Sequence, residues 1–238
     1  PMNRLSLCAL AAIIAATFSV IAAPAWAAKS KVYNPIINPA DFVGEINNLY
    51  LPMIPGTTFI YEAETADGLS RTVVTITDQI KVILGVNCTV VHDVVTVDGS
   101  LEEDTNDWYA QDKDGNVWYF GEFTTQFLNG VPVGNVGSWE AGVDGAKPGI
   151  VMQANPLPGK SYRQEFFVGV AEDMAKVLNL KSTVSVPYGD FVECLLTKEW
   201  SPLERGVVEQ KFYAPGVGLV LVLEHRGKIV REQLVDVQ

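Results

Sequence analysis

The chain has 238 residues, of which 48% are hydrophobic and 19% charged, and this composition is typical of a globular protein with a substantial core. Its formal net charge of −11 argues against binding to nucleic acid or to an anionic membrane, because an acidic surface repels both. An aromatic content of 10%, with 20 Gly and 13 Pro, favours strands and turns over helices.

Residues 1–27 have the pattern of a signal peptide. A short basic start at Asn3 and Arg4 precedes an apolar run, and Ala25-Trp26-Ala27 fits an A-x-A cleavage site. The alternative is an uncleaved membrane anchor, because the apolar run is almost long enough to span a bilayer. Cleavage predicts a periplasmic or extracellular protein without a membrane span.

Residues 28–51 are expected to form an extended N-terminal arm. Asn38 followed by Pro39 predicts a helix of one or two turns, since Asn caps helix starts and Pro suits the first helical position. The arm is expected to cover a sheet edge, either of its own chain or of a neighbour. Residues 28–51 are therefore a candidate route to self-association.

Residues 52–139 read as a run of strands. Its clearest element is the hairpin at residues 107–122, where two aromatic-rich segments flank a turn with Asp114-Gly115. The acidic turn resembles a calcium loop, but with Gly115 at the sixth loop position Ala110 would be the first ligand and Gly121 the last. We therefore predict a turn and no metal site.

Residues 140–154 are a Gly-rich connecting loop, which Val143 and Ile150 indicate to be ordered. Residues 155–238 read as strands again. Residues 172–178 have helical spacing in isolation, but alignment of Met174–Leu180 with Arg71–Thr77 predicts a strand.

Residues 52–139 and 155–238 are predicted to be two copies of one β unit that together form one domain. Tyr109 matches Tyr213 at an offset of 104, Cys88 matches Cys194 at 106, and Glu122 matches Glu224 at 102. The alternative is that such landmarks are merely common in β proteins. The expected fold is all-β, an internally duplicated antiparallel sheet, half-barrel or sandwich-like.

Cys88 and Cys194 are predicted to form a disulfide, because an exported chain with an even pair of cysteines favours pairing. Equivalent positions of a doubled fold can also meet near its axis. The alternative is two buried free thiols.

The sequence shows no catalytic or cofactor motif. The chain has two histidines, His92 and His225, and it lacks a Gly-x-Ser-x-Gly elbow, a zinc spacing and a phosphate-binding Gly loop. We therefore expect a protein that is not an enzyme and carries no cofactor.

The candidate ligand-binding residues are aromatic rings with acids and one arginine nearby, a set that could orient a polar group on an apolar platform. They are Trp108, Trp118, Tyr119, Trp139, Glu140, Asp144, Arg163 and Glu165. The alternative is ordinary strand packing, with Trp118 directed inward and Tyr119 outward.

Three functions remain open. The first is an exported, non-catalytic binding protein that holds a small or lipid-like apolar ligand in an aromatic β-sheet cleft. The second is a structural or interaction protein of the envelope or extracellular space that assembles through residues 28–51. The third is a glycoside hydrolase that uses Glu140 and Glu165, whose carboxyl groups would need to lie about 5–9.5 Å apart.

Three segments, residues 48–62, 107–122 and 137–150, resemble signatures of a widespread group of exported bacterial proteins of uncharacterised function. The resemblance covers nearly all of the chain after residue 27 and implies no particular activity. Each half is also loosely similar to the half-barrel units of periplasmic lipoprotein-carrier and sigma-factor-regulator proteins. That similarity implies a concave sheet able to hold an acyl chain or a peptide.

Overall fold

The computed structural model of the protein describes residues 33–238, so the predicted signal peptide and residues 28–32 lie outside the described part. The described residues fold almost entirely into antiparallel strands, which confirms the all-β class. Within residues 33–238, no helix has the length and hydropathy that a membrane span requires.

The N-terminal arm consists of a short 3-10 helix and three short strands. The helix spans Pro39–Asp41, followed by β1 (Phe42–Val43), β2 (Ile46–Asn48) and β3 (Leu51–Met53). Asn38 caps the helix by accepting a hydrogen bond from the backbone N–H of Ala40, as its position predicts. The helix ends after one turn because residues 42 and 43 pair with residues 112 and 111 instead.

The first half is a five-stranded meander in which each strand pairs with the next. Its strands are β4 (Thr58–Glu64), β5 (Leu69–Ile83), β6 (Val86–Val97), β7 (Ser100–Asp112) and β8 (Val117–Leu128). The β7–β8 hairpin is the one predicted from the Asp114-Gly115 turn. Strand β5 pairs with β6 along its length, with a register shift between Ile76 and Ile80.

Three further strands pair with β8: β9 (Val131–Gly134), β10 (Trp139–Glu140) and β11 (Lys147–Met152). The predicted connecting loop at residues 140–154 is therefore a loop only in part. Gly149 does not interrupt this strand. A glycine is needed there because two backbones approach each other closely. A Cβ atom at Gly149 would lie 2.4 Å from the carbonyl carbon of Gln164.

The second half is a meander from its third strand onward. Its strands are β12 (Ser161–Arg163), β13 (Glu165–Phe166), β14 (Met174–Val186), β15 (Gly189–Trp200), β16 (Val208–Ala214), β17 (Gly218–Arg226) and β18 (Lys228–Val237). Strand β14 confirms the prediction for Met174–Leu180 and shows that pairing with β15 overrides the local helical spacing.

The sheet curves into a nearly closed, barrel-like form. Its hydrogen-bonded order is β12-β14-β15-β16-β17-β18-β4-β5-β6-β7-β8-β11-β13. Strands β12 and β13 are neighbouring parts of one stretch, and they pair with β14 on one side and β11 on the other. Strand β18 pairs with β4, so the two halves are joined at both sides.

The two halves share an irregularity at matching positions. In the β7–β8 hairpin the register shifts after Trp108 and leaves Phe120 as an extra, bulged residue. In the β16–β17 hairpin it shifts after Phe212 and leaves Val220. Both extra residues are fully buried. This agreement fits the predicted duplication, whose boundaries remain a prediction.

The predicted disulfide is wrong, because Cys88 and Cys194 are both free and buried. They lie on β6 and β15, which five strands (β16, β17, β18, β4 and β5) separate in the sheet. In a nearly closed sheet made of two similar halves, equivalent positions lie on opposite walls and do not meet. Each thiol donates instead to the backbone carbonyl two residues before it.

Candidate ligand-binding cavity

The barrel-like sheet contains an internal cavity with about 120 Å³ open to the centres of water molecules. Part of its wall is apolar and comes mainly from β3 to β6 and β17. The apolar residues include Met53, Phe59, Val74, Ile76, Val91 and Leu219. The remaining wall carries tyrosines, five acids and a lysine, so the cavity combines an apolar surface with a charged one.

Asp107 and Lys211 lie deeper in the barrel than Tyr109 and Tyr213. Along β7 the side chains alternate between the two faces, so Tyr109 and Asp107 occupy successive inward positions. Tyr213 and Lys211 occupy the corresponding positions of β16. The tyrosines therefore stand nearer the end of the barrel at which the β7–β8 and β16–β17 turns lie.

That end is covered by the β2–β3 hairpin, residues 46–53, which we call the end hairpin. The side-chain amide of Asn48 donates to the carbonyls of Gly115 and Gln153, at 2.8 and 3.2 Å. The backbone N–H of Gly216 donates to the carbonyl of Leu49 at 2.7 Å. The described part of the arm thus packs on its own chain and places residues 51–53 in the cavity wall.

Tyr119 links two buried acids. Its hydroxyl donates to Oδ1 of Asp107 at 2.5 Å, and Oε2 of Glu122 lies 3.0 Å from the same hydroxyl oxygen. A tyrosine hydroxyl has one proton and cannot donate to both. Burial, and then the Asp107 carboxylate, raise the pKa of Glu122 well above its usual value. Burial and Asp107 thus favour the protonated form of Glu122, while the hydrogen bond with Tyr119 lowers the pKa of this carboxyl.

Three more acids of the wall contain a buried oxygen without a hydrogen-bond partner, namely Oδ1 of Asp173, Oδ1 of Asp93 and Oε1 of Glu165. The side chains of Asp93 and Glu165 are 8% and 3% exposed. Burial raises the pKa of both carboxyls well above the usual value. The next largest cause is Asp107 for Asp93, and Asp173 for Glu165. These oxygens are acceptors that the protein itself leaves unused.

At the position that Asp107 occupies in the first half, the second half carries a cation, Lys211. The Nζ of Lys211 lies 3.1 Å from Glu199 and 3.0 Å from Glu209. Tyr213 also donates to Oε1 of Glu199 at 3.1 Å. The pKa of Asp173 is raised to about 6 by burial, although Lys211 opposes that rise. Glu199 and Glu209 are therefore compensated by one ammonium group, and Glu199 also accepts a hydrogen bond, whereas Oδ1 of Asp173 has no partner.

Of the predicted site residues, Tyr119 and Glu165 line the cavity. Trp139 is buried beside them, and its ring meets the Tyr119 ring edge-on at 5.4 Å. The alternative orientation of the hairpin is wrong. Tyr119 faces inward, whereas Trp118 is half-buried, donates to Asp112 and meets the ring of Phe42.

The structure places the other predicted residues away from the cavity. Trp108 lies under the Lys81 ammonium, 3.3 Å from its ring centre, and the same lysine forms an ion pair with Glu140 at 2.7 Å. Asp144 is exposed in a turn, and the Arg163 guanidinium stacks over Phe166.

Glu140 therefore pairs with a lysine at the surface, while Glu165 is buried in the barrel. Glu165 lines the cavity and Glu140 does not, so the structure gives no support to the pairing that the glycoside hydrolase hypothesis requires.

The sequence did not identify most of the cavity's polar residues. Asp93, Asp107, Asp173, Glu199 and Lys211 were missed, as were Tyr61, Tyr109 and Tyr213 as lining residues. The repeat offsets held a usable signal. Residue 93 plus 106 is 199, and residue 107 plus 104 is 211, so both pairs fall at the offsets of the cysteines and tyrosines.

In residues 33–238, no group of three or more His, Cys, Asp or Glu side chains is placed to hold a metal ion. The acidic turn of the β7–β8 hairpin is used structurally. The Asp112 carboxylate accepts hydrogen bonds from the backbone and side-chain N–H groups of Asn116 and from the indole of Trp118.

No protein-family model matches the sequence, and no curated protein matches it. Among solved structures, the chain is similar to a "putative lipoprotein" from Parabacteroides distasonis, across 80% of this chain and 99% of that one. The two share 13% identity with a TM-score of 0.41, and a likeness of this size supports no statement about function. The resemblance of each half to lipoprotein-carrier units finds no support in these comparisons.

Proposed function

We propose that this chain is an exported, non-catalytic binding protein that holds a small ligand inside its barrel-like sheet. The observation that best supports this proposal is the cavity, whose wall combines an apolar surface with buried acids that have unused acceptor oxygens. Buried polar atoms are almost always paired, so unused ones on a cavity wall favour a bound molecule. The export part of the proposal depends on the signal-peptide pattern of residues 1–27.

A binding role also fits the position of the two histidines. His92 contacts Asp104 and His225 contacts Gln210, and neither belongs to the cavity wall. No histidine is therefore available to act as a general base on a molecule in the cavity. The end hairpin supports retention of a ligand, since residues 51–53 lie between the cavity and the end of the barrel.

The test is native mass spectrometry of protein purified from its source, followed by denaturation and identification of any released molecule. We expect a bound small molecule in the wild-type protein and its loss in Val74→Phe, which places a larger ring in the cavity wall. Val192→Phe is the matched control, because residue 192 is 66% exposed and lies outside the cavity. A wild-type cavity that is empty on purification would contradict the proposal.

A further inference from the structure

The two halves differ in charge at one matching position of the cavity. Asp107 and Lys211 each lie two residues before the lining tyrosine of their half, Tyr109 or Tyr213. In the second half, Lys211 supplies an ammonium group to Glu199 and Glu209. In the first half the same position is occupied by an acid, Asp107. The first half is thus built like the second, but an acid replaces the cation.

The cavity wall consequently has an excess of acids. Of the described residues that line it, five are acids and only Lys211 is cationic. The five acids are Asp93, Asp107, Glu165, Asp173 and Glu199. Since charge in a poorly solvated interior is costly unless it is paired, these acids must either hold protons or receive a cation.

The unused oxygens locate the part of the wall where a cation would fit. Oε1 of Glu165, Oδ1 of Asp93 and Oδ1 of Asp173 are buried without a partner and belong to the wall of one cavity. Asp107 lines the same cavity, and it raises the pKa of Asp93 and, to a smaller extent, that of Glu165. A positively charged group that donates several hydrogen bonds would satisfy these acceptors and would also offset the excess negative charge of the wall.

The neighbouring wall determines the rest of the ligand. Val74, Ile76 and Val91 belong to the same lining as Asp93, and Val91 is paired directly with Asp107 across β6 and β7. An apolar body attached to the positive group would bury itself against these side chains. A cavity of about 150 Å³ can accept a benzene-sized molecule, so the available space suits a small body of that kind.

We propose that the ligand is a small organic ammonium ion, whose charged group is accepted in the acidic part of the cavity wall that Glu165, Asp93 and Asp107 line and whose apolar body lies against β5 and β6. This inference rests on the proposed binding function and specifies the chemical class of its ligand. The ammonium group supplies the positive charge that is missing where Asp107 stands in place of Lys211.

The test compares probes of one shape and three charges near neutral pH by titration calorimetry. The cations are 2-phenylethylammonium and n-hexylammonium, each compared with the alcohol and the carboxylate that carry the same body. We expect the ammonium probes to bind at least about tenfold more tightly than the matched alcohols, a difference of about 1.4 kcal/mol. The carboxylates should bind more weakly still.

Glu165→Gln keeps the size of the side chain and prevents it from carrying a negative charge when a cation binds. We expect this variant to weaken ammonium binding by about tenfold and to leave alcohol binding unchanged. Asp93→Asn should act in the same direction. The controls are Glu64→Gln and Asp190→Asn, which change exposed acids outside the cavity. Val74→Phe should reduce the binding of every probe.

Two results would overturn the inference, and they differ in what they leave standing. If alcohols or carboxylates bind as tightly as ammonium ions and Val74→Phe abolishes that binding, the cavity binds ligands but not selectively cations. If no ammonium probe binds the wild-type protein, the inference is wrong. Native mass spectrometry of the purified protein then decides separately whether the binding function survives.

Discussion

At the scale of single residues, the unusual feature is the number of carboxyl groups buried in the sheet. Glu232 is an example that lies outside the cavity wall. It is 4% exposed and accepts a hydrogen bond from the Thr72 hydroxyl at 2.8 Å. Burial raises its pKa from 4.5 to about 7; Glu209 and Glu224 add to the rise, and Lys211 opposes it. The folded protein therefore binds a proton at Glu232 more readily than the unfolded chain does.

This difference predicts that stability decreases as the pH rises. Between pH 4.5 and about 7 the folded state holds the Glu232 proton and the unfolded state has lost it. The contribution is therefore fully present below the unfolded pKa and is lost as the pH rises through the folded pKa. Over this pH range, we expect the free energy of unfolding of Glu232→Gln to change by on the order of 3 kcal/mol less than that of the wild type.

Urea unfolding at a series of pH values would measure the free energy of unfolding. The exposed Glu64→Gln variant should keep the wild-type slope. A Glu232→Gln variant with an unchanged slope would contradict the assignment of a raised pKa to this carboxyl group.

At the scale of secondary-structure elements, the end hairpin depends on Asn48. This residue is 7% exposed, and its side chain donates to Gly115 and Gln153 while accepting from the N–H groups of Tyr50 and Leu51. Replacement of Asn48 would leave several of these buried groups unsatisfied. A buried group without its partner costs about 1–3 kcal/mol.

We predict that Asn48→Ala loosens the end hairpin without unfolding the barrel. Amide hydrogen exchange at residues 46–53 should become at least about tenfold faster, because local opening would cost at least about 1.4 kcal/mol less. Exchange in β6 and β7 should not change. Asn155→Ala, at an exposed position, serves as the control. Equal exchange at residues 46–53 in the wild type and Asn48→Ala would show that other contacts hold the hairpin.

The elements themselves were largely predictable from local chemistry. The turn at Asp114-Gly115 identified the β7–β8 hairpin, and the repeat offset identified β14 against its helical spacing. The cavity was not predictable in the same way. Asp107 sits near Glu102, Glu103 and Asp104, and such a run normally indicates a solvated strand end. Alternation shows that Asp107 and Trp108 face opposite sides, but it does not show which side is inside when the interior is polar.

At the scale of the whole molecule, the two halves set the cysteines on opposite walls. Burial raises the pKa of the Cys88 thiol to about 12 and also raises the pKa of Cys194, so little reactive thiolate forms at neutral pH. We predict that a reducing agent leaves the melting temperature unchanged. A thiol reagent should label both residues only after unfolding. Two results together would contradict this prediction: a lower melting temperature after reduction, and no labelling of the thiols in the denatured protein that has not been reduced. They would show that Cys88 and Cys194 form a disulfide.

The pairing of β18 with β4 has a consequence for biogenesis. Glu232 is registered with Ala63, so the two partners are 232 − 63 = 169 residues apart in the chain. While the polypeptide is being made, β4 can pair with β5 on one side, but its other edge has no partner until the last strand is available. Such distant pairings slow folding and leave an edge open to aggregation. That edge of β4 therefore stays open to aggregation until β18 has been synthesised.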